Sequence, residues 1–440
     1  MRKHARWGRH LAGGLLVGLI GVLLLSGCAL GSAPTWQSIG PNARSIVSLA
    51  VSSLNPPTLL AGSSGQGVFR SQDGGSTWKS VNTNLPSGIT VNCIVLDPTQ
   101  IGLVYLGTSQ GVFLSTNYGD RWQSVSQGLP GGADEEVTAL LVNLADPTTL
   151  YAGTAHKGVY ISHDGAKSWA VSAQGLPIGA TIHALLAETK GQGVLLFAAL
   201  AGSGVYQSSD GGASWSASSV GLPVGANALS LLQQPSNPGG LYVGTSQGIY
   251  RSTDDGASWR AVNDGLGGTP PQVFDLALND KQVQFLYAAT SAGAYRSVNG
   301  GANWDQVAAG IPSDHPVVAL AIVGSAASLG TIFASAGQVY RYPSAAAAAS
   351  GQIFTFIILG ILALLFVWLY FQQRRLLQRL TPPTPADPRQ PARAAGRAGP
   401  ARANAARRLT SGSAEGQGSA ILNGKSDVDS GDGADDKQQG

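Results

Sequence analysis

The sequence predicts an all-β, seven-bladed β-propeller over residues 34–342, and three observations predict it. An eight-residue phrase of the form Ser-x-Asp-x-Gly-x-Ser/Thr-Trp returns six times, ending at Trp78, Trp122, Trp169, Trp215, Trp259 and Trp304. Counted from Trp36, successive tryptophans stand 42, 44, 47, 46, 44 and 45 residues apart, the length of one four-stranded blade. The unit after Trp304 holds three strands and no phrase of its own, while an unattached strand, Thr35-Trp36-Gln37-Ser38-Ile39, precedes the first unit. Pairing that first strand with the last unit completes seven blades and closes the ring.

Each unit reads alike. A strand opened by the Trp leads to a loop with Gly-Leu-Pro, as at Gly128-Leu129-Pro130, Gly175-Leu176-Pro177 and Gly221-Leu222-Pro223. An apolar strand follows, then a Pro turn (Asp97-Pro98, Asp146-Pro147), a strand such as Leu150-Tyr151-Ala152-Gly153-Thr154, and a strand such as Gly158-Val159-Tyr160 entering the next phrase. In the meander A-B-C-D, units begin near Ile46, Val91, Val137, Ile182, Ala228 and Val273, and the seventh supplies 317–322, 331–334 and 339–342. Within the phrase the acceptor is Asp73, Asn117, Asp164, Asp210, Asp254 or Asn299; such a side chain bonds nearby backbone N–H groups, and the glycines admit positive φ. Ala166 stands at the second glycine in the third copy. The Trp brings a large apolar ring that must be buried.

The phrase resembles the Asp-box, or BNR repeat, of sialidases, sortilin-type receptors and photosystem II assembly factors. The sialidase resemblance implies glycoside hydrolysis with a Tyr nucleophile and three convergent arginines holding a carboxylate. Here Arg70, Arg251, Arg296 and Arg341 each follow the aromatic of strand C, while Arg121 and Arg260 lie in or just after a phrase. Equivalent positions in different blades point around a ring, so only Arg44 is placed to face a central pocket. The arginine triad is not found, and the reading is a non-catalytic module without cofactor. The seven-blade count resembles the photosystem II assembly factors, exported proteins that hold a membrane-protein intermediate, more than the sialidases. The acidic domain and the apolar C-terminal run depart from that pattern.

Sixty glycines and 12% charged residues in 440 suit turn-rich β structure. Residues 31–342 carry 12 Lys/Arg against 17 Asp/Glu, so the overall +3 belongs to the flanks and the domain offers no electrostatic case for nucleic acid. Cys28 and Cys93 are the two cysteines. Cys93 sits in an apolar strand and reads as a buried, inert thiol, which leaves no disulfide framework and no Cys-based metal site. The histidines lack the paired spacing of a metal site.

The flanks point to a membrane. Arg2, Lys3, Arg6 and Arg9 precede an apolar run from Leu11 to Leu25, and Leu25-Ser26-Gly27-Cys28 resembles a bacterial lipobox with Cys28 as the lipidated residue. Residues 1–28 thus read as a signal peptide, with an uncleaved anchor as the alternative. After a small-residue linker, 343–352, the uncharged run 353–371 has the length of a transmembrane helix. Arg374, Arg375 and Arg379 follow it and mark the cytoplasmic side. The propeller is then extracytoplasmic, and 372–440 is a disordered cytoplasmic tail.

In such a meander the A–B and C–D turns share one face, and the B–C and D–A loops share the other. The second face varies from blade to blade and is the expected binding face. It should gather Arg44, Asp134, Glu135, Glu136, His156, Lys157, His183, Asp314 and His315, with the acidic run suited to a basic partner or a cation. The expected partner is an envelope protein or a glycan.

Overall fold

The computed structural model describes residues 34–342, apart from 42, 44, 55, 192, 235, 236, 238, 280, 281, 326 and 327, together with 362, 364, 365, 367–372 and 375. The flanking features named above (the signal peptide with its lipobox at Cys28, the linker, most of the span at 353–371 and nearly all of the tail) lie outside the described residues, as does Arg44. The described residues from 362 to 375 are helical. Among the described residues no helix is long and apolar enough to cross a membrane.

Twenty-eight strands form seven four-stranded antiparallel sheets. Strand β1 is Gln37–Gly40. Blade 1 comprises β2 (Ile46–Val51), β3 (Leu59–Ser63), β4 (Gly67–Ser71) and β5 (Lys79–Ser80). Blade 2 comprises β6 (Val91–Leu96), β7 (Val104–Thr108), β8 (Gly111–Ser115) and β9 (Gln123–Ser124). Blade 3 comprises β10 (Val137–Val142), β11 (Leu150–Thr154), β12 (Val159–Ser162) and β13 (Ala170–Val171). Blade 4 comprises β14 (Ile182–Lys190), β15 (Gly193–Leu200), β16 (Gly204–Ser208) and β17 (Ser216–Ala217). Blade 5 comprises β18 (Ala228–Gln233), β19 (Leu241–Thr245), β20 (Gly248–Ser252) and β21 (Arg260–Ala261). Blade 6 comprises β22 (Val273–Asn279), β23 (Gln282–Thr290), β24 (Gly293–Ser297) and β25 (Asp305–Gln306). Blade 7 joins β26 (Ala319–Ser325), β27 (Ser328–Ala336) and β28 (Gln338–Tyr342) to β1, with Gln37 opposite Arg341. The ring closes as the sequence predicts. Two boundaries differ: the fourth strand begins just after each Trp, because the Trp itself turns its ring inward, and the last first-strand begins at Ala319.

Second strands such as β3, β7, β11 and β19 are buried along their whole length. A strand with sheets packed on both sides reads as continuously apolar, which is why these segments are rich in Leu, Val, Ala and Gly. The first strands of successive blades pack on one another around the inside of the ring, and β26 packs on β2.

Blades are joined by the tryptophans. The indole N–H of Trp122 donates to Val81 O of the preceding blade at 2.7 Å, and Trp169, Trp215, Trp259 and Trp304 do the same to Val125, Ser172, Ser218 and Val262 at 2.7–2.9 Å. Trp36 donates to Val307 O and Trp78 to Ile39 O, so the clasp runs through the closing seam. A second bond, from the Trp backbone N–H, lands two residues further on, as in Trp169 N to Gln127 O at 2.8 Å. The glycine of each Gly-Leu-Pro loop follows. A Cβ on Gly128, Gly175 or Gly221 would meet the carbonyl oxygen of the next blade's Trp at 2.1 Å, so the loop passes under the Trp only without a side chain. In blade 1 that place is held by Asn84 with φ 69°. Six of these tryptophans are at most 5% exposed, while Trp78, at the seam, is half-buried beside a groove of about 740 Å³.

Trp215→Ala should therefore cost about 3–5 kcal/mol, measured by chemical denaturation, and Trp78→Ala clearly less. Equal losses at both sites would show that the burial difference carries no stability. Removal of 34–41 should lower the melting temperature more than either substitution, because it strips blade 7 of its outer strand.

Candidate functional site

The A–B and C–D turns form one end of the ring, here the turn face. Backbone bonds tie them together, as in Tyr118 N to Gly102 O and Gly165 N to Thr148 O, both 2.9 Å. In the first repeat turn, Ser71 Oγ donates to Asp73 Oδ1 (2.7 Å) and accepts from Gly75 N (2.8 Å). Thr77 N donates to Asp73 Oδ1 at 2.9 Å and Thr77 Oγ1 to Asp73 Oδ2 at 2.6 Å. The same set recurs around Asp164, Asp210 and Asp254. Asn117 and Asn299 keep the Ser bond and the bond from the backbone N–H four residues on. Ala166 takes the second glycine's place at φ 67° with the pattern intact. The hydroxyl bonds from Thr77, Ser168, Ser214 and Ser258, helped by backbone N–H groups, hold the Asp73, Asp164, Asp210 and Asp254 carboxyls down at about 2. These oxygens are occupied by the turn.

The arginines do not converge. Arg70 reaches the neighbouring turn, pairing with Asp120 at 2.8 Å and donating to Asn117 O and Tyr118 O. Arg251 lies 5.5 Å from the Tyr242 ring centroid and donates to Gln234 Oε1, and Arg341 donates to Gln37 Oε1. Each is engaged in its own sector. Among the described residues no group of three or more His, Cys, Asp or Glu side chains could hold a metal ion. Burial pushes the Cys93 thiol up to about 12, so it stays protonated.

The B–C and D–A segments form the other end, the loop face, and are bonded to each other: Gly111 N to Glu135 O, Gly158 N to Ala180 O and Gly204 N to Ala226 O. Around blade 3 this brings expected residues together. Burial raises the Glu135 carboxyl, and the charges of Lys157 and His156 pull it back down. Glu136 Oε1 accepts from Asn92 Nδ2 at 3.3 Å. The expected acidic run is thereby divided: Asp134 and Glu136 are exposed, while Glu135 is 8% exposed and faces inward. The cause is the tight 3₁₀ turn Gly132–Asp134, which sends the next residue under the loop.

His183 occupies a position that recurs at the inner strands. Register slips by one residue near the start of each first strand from β2 to β22, at Val47, Asn92, Thr138, His183, Leu229 and Phe274. Asn92 Nδ2 and Thr138 Oγ1 donate across to the next blade, at Val137 O and Ile182 O. Burial lowers the His183 pKa and favours the neutral ring. Asp314 and His315 lie elsewhere on this face, 4.0 Å apart at the closing seam. There a recess of about 490 Å³ is lined by Ser45, Pro312, His315, Gly337, Gln338 and Tyr340.

Two residues were missed by the sequence reading. Ile178 and Val224 are fully exposed, at 105% and 102%. Each stands at the corner of a tight turn, with Ala180 N bonded to Pro177 O and Ala226 N to Pro223 O. Aligning the Leu/Ile-Pro loops by blade phase would have found them: the residue after Pro is Ser87, Gly131 and Ser313 in the others.

No protein-family model matches the chain, and no curated protein sequence matches it. Solved structures share the fold. An ancestral GH74 enzyme aligns with TM-score 0.56 and 14% identity over 70% of this chain and 46% of its own. The GH74 xyloglucanase of Xanthomonas campestris gives 0.52 and 18% over 70% and 53%. The chain thus spans about half the length of these two enzymes. YCF48 from Cyanidioschyzon merolae gives 0.51 and 15% over 70% of this chain and 98% of its own, and YCF48 bound to D1 peptide gives 0.53 and 17% over 71% and 98%. At these identities the likeness establishes the propeller fold.

Lys157→Ala leaves Glu135 without its main favourable charge. Its carboxyl then rises further, which penalises the charged form, so stability falls at pH 7 and the loss shrinks as the pH is lowered. A loss of about 0.5–1 kcal/mol at pH 7 is expected, read from urea midpoints at pH 7 and pH 4. A loss equal at both pH values would show that Lys157 acts by packing.

Proposed function

We propose that the protein is a membrane-anchored, extracytoplasmic propeller that binds a protein partner on its loop face and catalyses no reaction. The observation carrying this reading is the sector over blades 3 to 5, where exposed Asp134, Glu136, His156 and Lys157 adjoin the two fully exposed corners Ile178 and Val224. Apolar projections ringed by both signs of charge suit a protein surface better than a small solute, since the apolar contact supplies affinity and the charges supply register. The apolar runs at 11–25, followed by Cys28, and at 353–371 would supply the anchors. YCF48, a propeller of the same fold, has been seen with a bound peptide, which lends support to protein binding. The scattered arginines, of which Arg70, Arg251 and Arg341 engage separate partners around the ring, support the non-catalytic reading against a sialidase-like one. A photosystem II assembly role is a narrower version of the same proposal.

The test is photo-crosslinking in native membranes with the full chain, the probe placed at Ile178 or Val224 on one face and at Ser214 on the other. A discrete protein adduct is expected from the first pair alone. Charge reversal at Asp134 and Glu136 should weaken that adduct severalfold at low salt and less at high salt. Adducts only from Ser214 would place recognition on the turn face, and turnover of a glycoside by the purified protein would overturn the non-catalytic reading.

A further inference from the structure

The ring closure fixes which end of the propeller the flanking segments leave from. In every complete blade the third and fourth strands are joined on the turn face. In blade 7 that connection is replaced by the chain's own entry and exit: β28 ends there at Tyr342 and β1 begins there after Trp36. The two rings stand 5.0 Å apart. Entry and exit therefore lie side by side on one face, although 306 residues of chain separate them.

The tethers are short. Eight residues lead from Cys28 to Trp36 and eleven from Tyr342 to residue 353. Fully extended, eight residues reach roughly 28 Å. A six-residue strand alone rises about 20 Å, and the loops add to that, so the first tether would be exhausted merely in passing along the side of the ring to the loop face.

The turn face also carries apolar tips, in blades 1 to 3. Leu54, Ile101 and Leu144 stand in the A–B turns of blades 1, 2 and 3, exposed at 40%, 81% and 69%. Among the described residues the A–B turns of blades 4 and 5 hold no exposed large apolar side chain, and blade 6 adds only Val298, 45% exposed, in its C–D turn. Both signs of charge stand on this face: the carboxylates of Asp73, Asp164, Asp210 and Asp254 in the repeat turns are accompanied by exposed Lys79, Arg121, Lys167 and Arg260.

Resting on the anchor reading above, we propose that the turn face opposes the lipid bilayer, with Ile101 and Leu144, flanked by Leu54, touching its interfacial zone and the loop face turned away.

The test uses the full chain carrying Cys28→Ser, anchored by its C-terminal run, in phosphatidylcholine vesicles containing brominated lipid. Cys93, half-buried on β6, is changed to Ser in every variant, so a fluorescent thiol label reports the introduced site. Ile101→Cys and Leu144→Cys are compared with Ile178→Cys and Val224→Cys. Quenching at the first pair should exceed that at the second at least twofold. Flotation is measured on the same samples. A chain that fails to float overturns the anchor reading and this inference with it. A chain that floats with equal quenching at both pairs, or stronger quenching at Ile178 and Val224, overturns the orientation alone.

Discussion

The structure depends on one bond repeated around a circle, the indole N–H of each tryptophan reaching a backbone carbonyl of the blade before it. The carbonyl lies just past that blade's short outer strand, where only two residues pair in the ladder and backbone groups need partners from elsewhere. The ring that carries the donor fills the space between neighbouring sheets. One side chain thus joins apolar burial to a directional bond, and it does so at every junction including the seam. The glycine beneath each Trp and the serine–aspartate turn before it serve this placement: one clears the path, and the other fixes the chain that delivers the ring.

Much of this was legible because each element is repeated. Spacing of the tryptophans gave the blade count, and the unattached strand at Trp36 gave the closure. The ends of strands were less legible. The fourth strand starts after the Trp because a ring turned into the core cannot also continue the ladder, and no pattern in two-residue strands marks that. The candidate face was legible in outline only. Meander geometry assigned His156, Lys157 and Glu136 to it, but Glu135 turned inward because a 3₁₀ turn intervened, and nothing in Asp134-Glu135-Glu136 distinguishes the middle carboxylate. Ile178 and Val224 escaped notice because an apolar residue beside Pro reads as core until its neighbours in the other blades are set against it.

Electrostatics follow the same division of faces. On the turn face, carboxylates accept bonds that favour their charged form, so they are buttresses more than sites. Asp275 is the inverse case. It lies on β22, accepts from Leu276 N and Leu320 N at 2.8 Å each, and burial raises its carboxyl to about 6. The bond to Leu320 crosses from blade 6 to blade 7, so an ionisable group sits in the inner wall next to the blade that completes the ring.

The pairing of β1 with β28 also has a consequence in time. During synthesis at ordinary elongation rates of about 5–20 residues per second, the partner of Gln37, Arg341, emerges roughly 15–60 s after it. Throughout that interval Trp36 has no Tyr342 to meet and β1 has no β28 to pair with, so the nascent chain is an open arc with unsatisfied strands at both ends. Completion of the seventh blade is then the step that converts a growing stack into a closed object, and a chain released before Tyr342 retains an exposed edge that invites pairing with another copy.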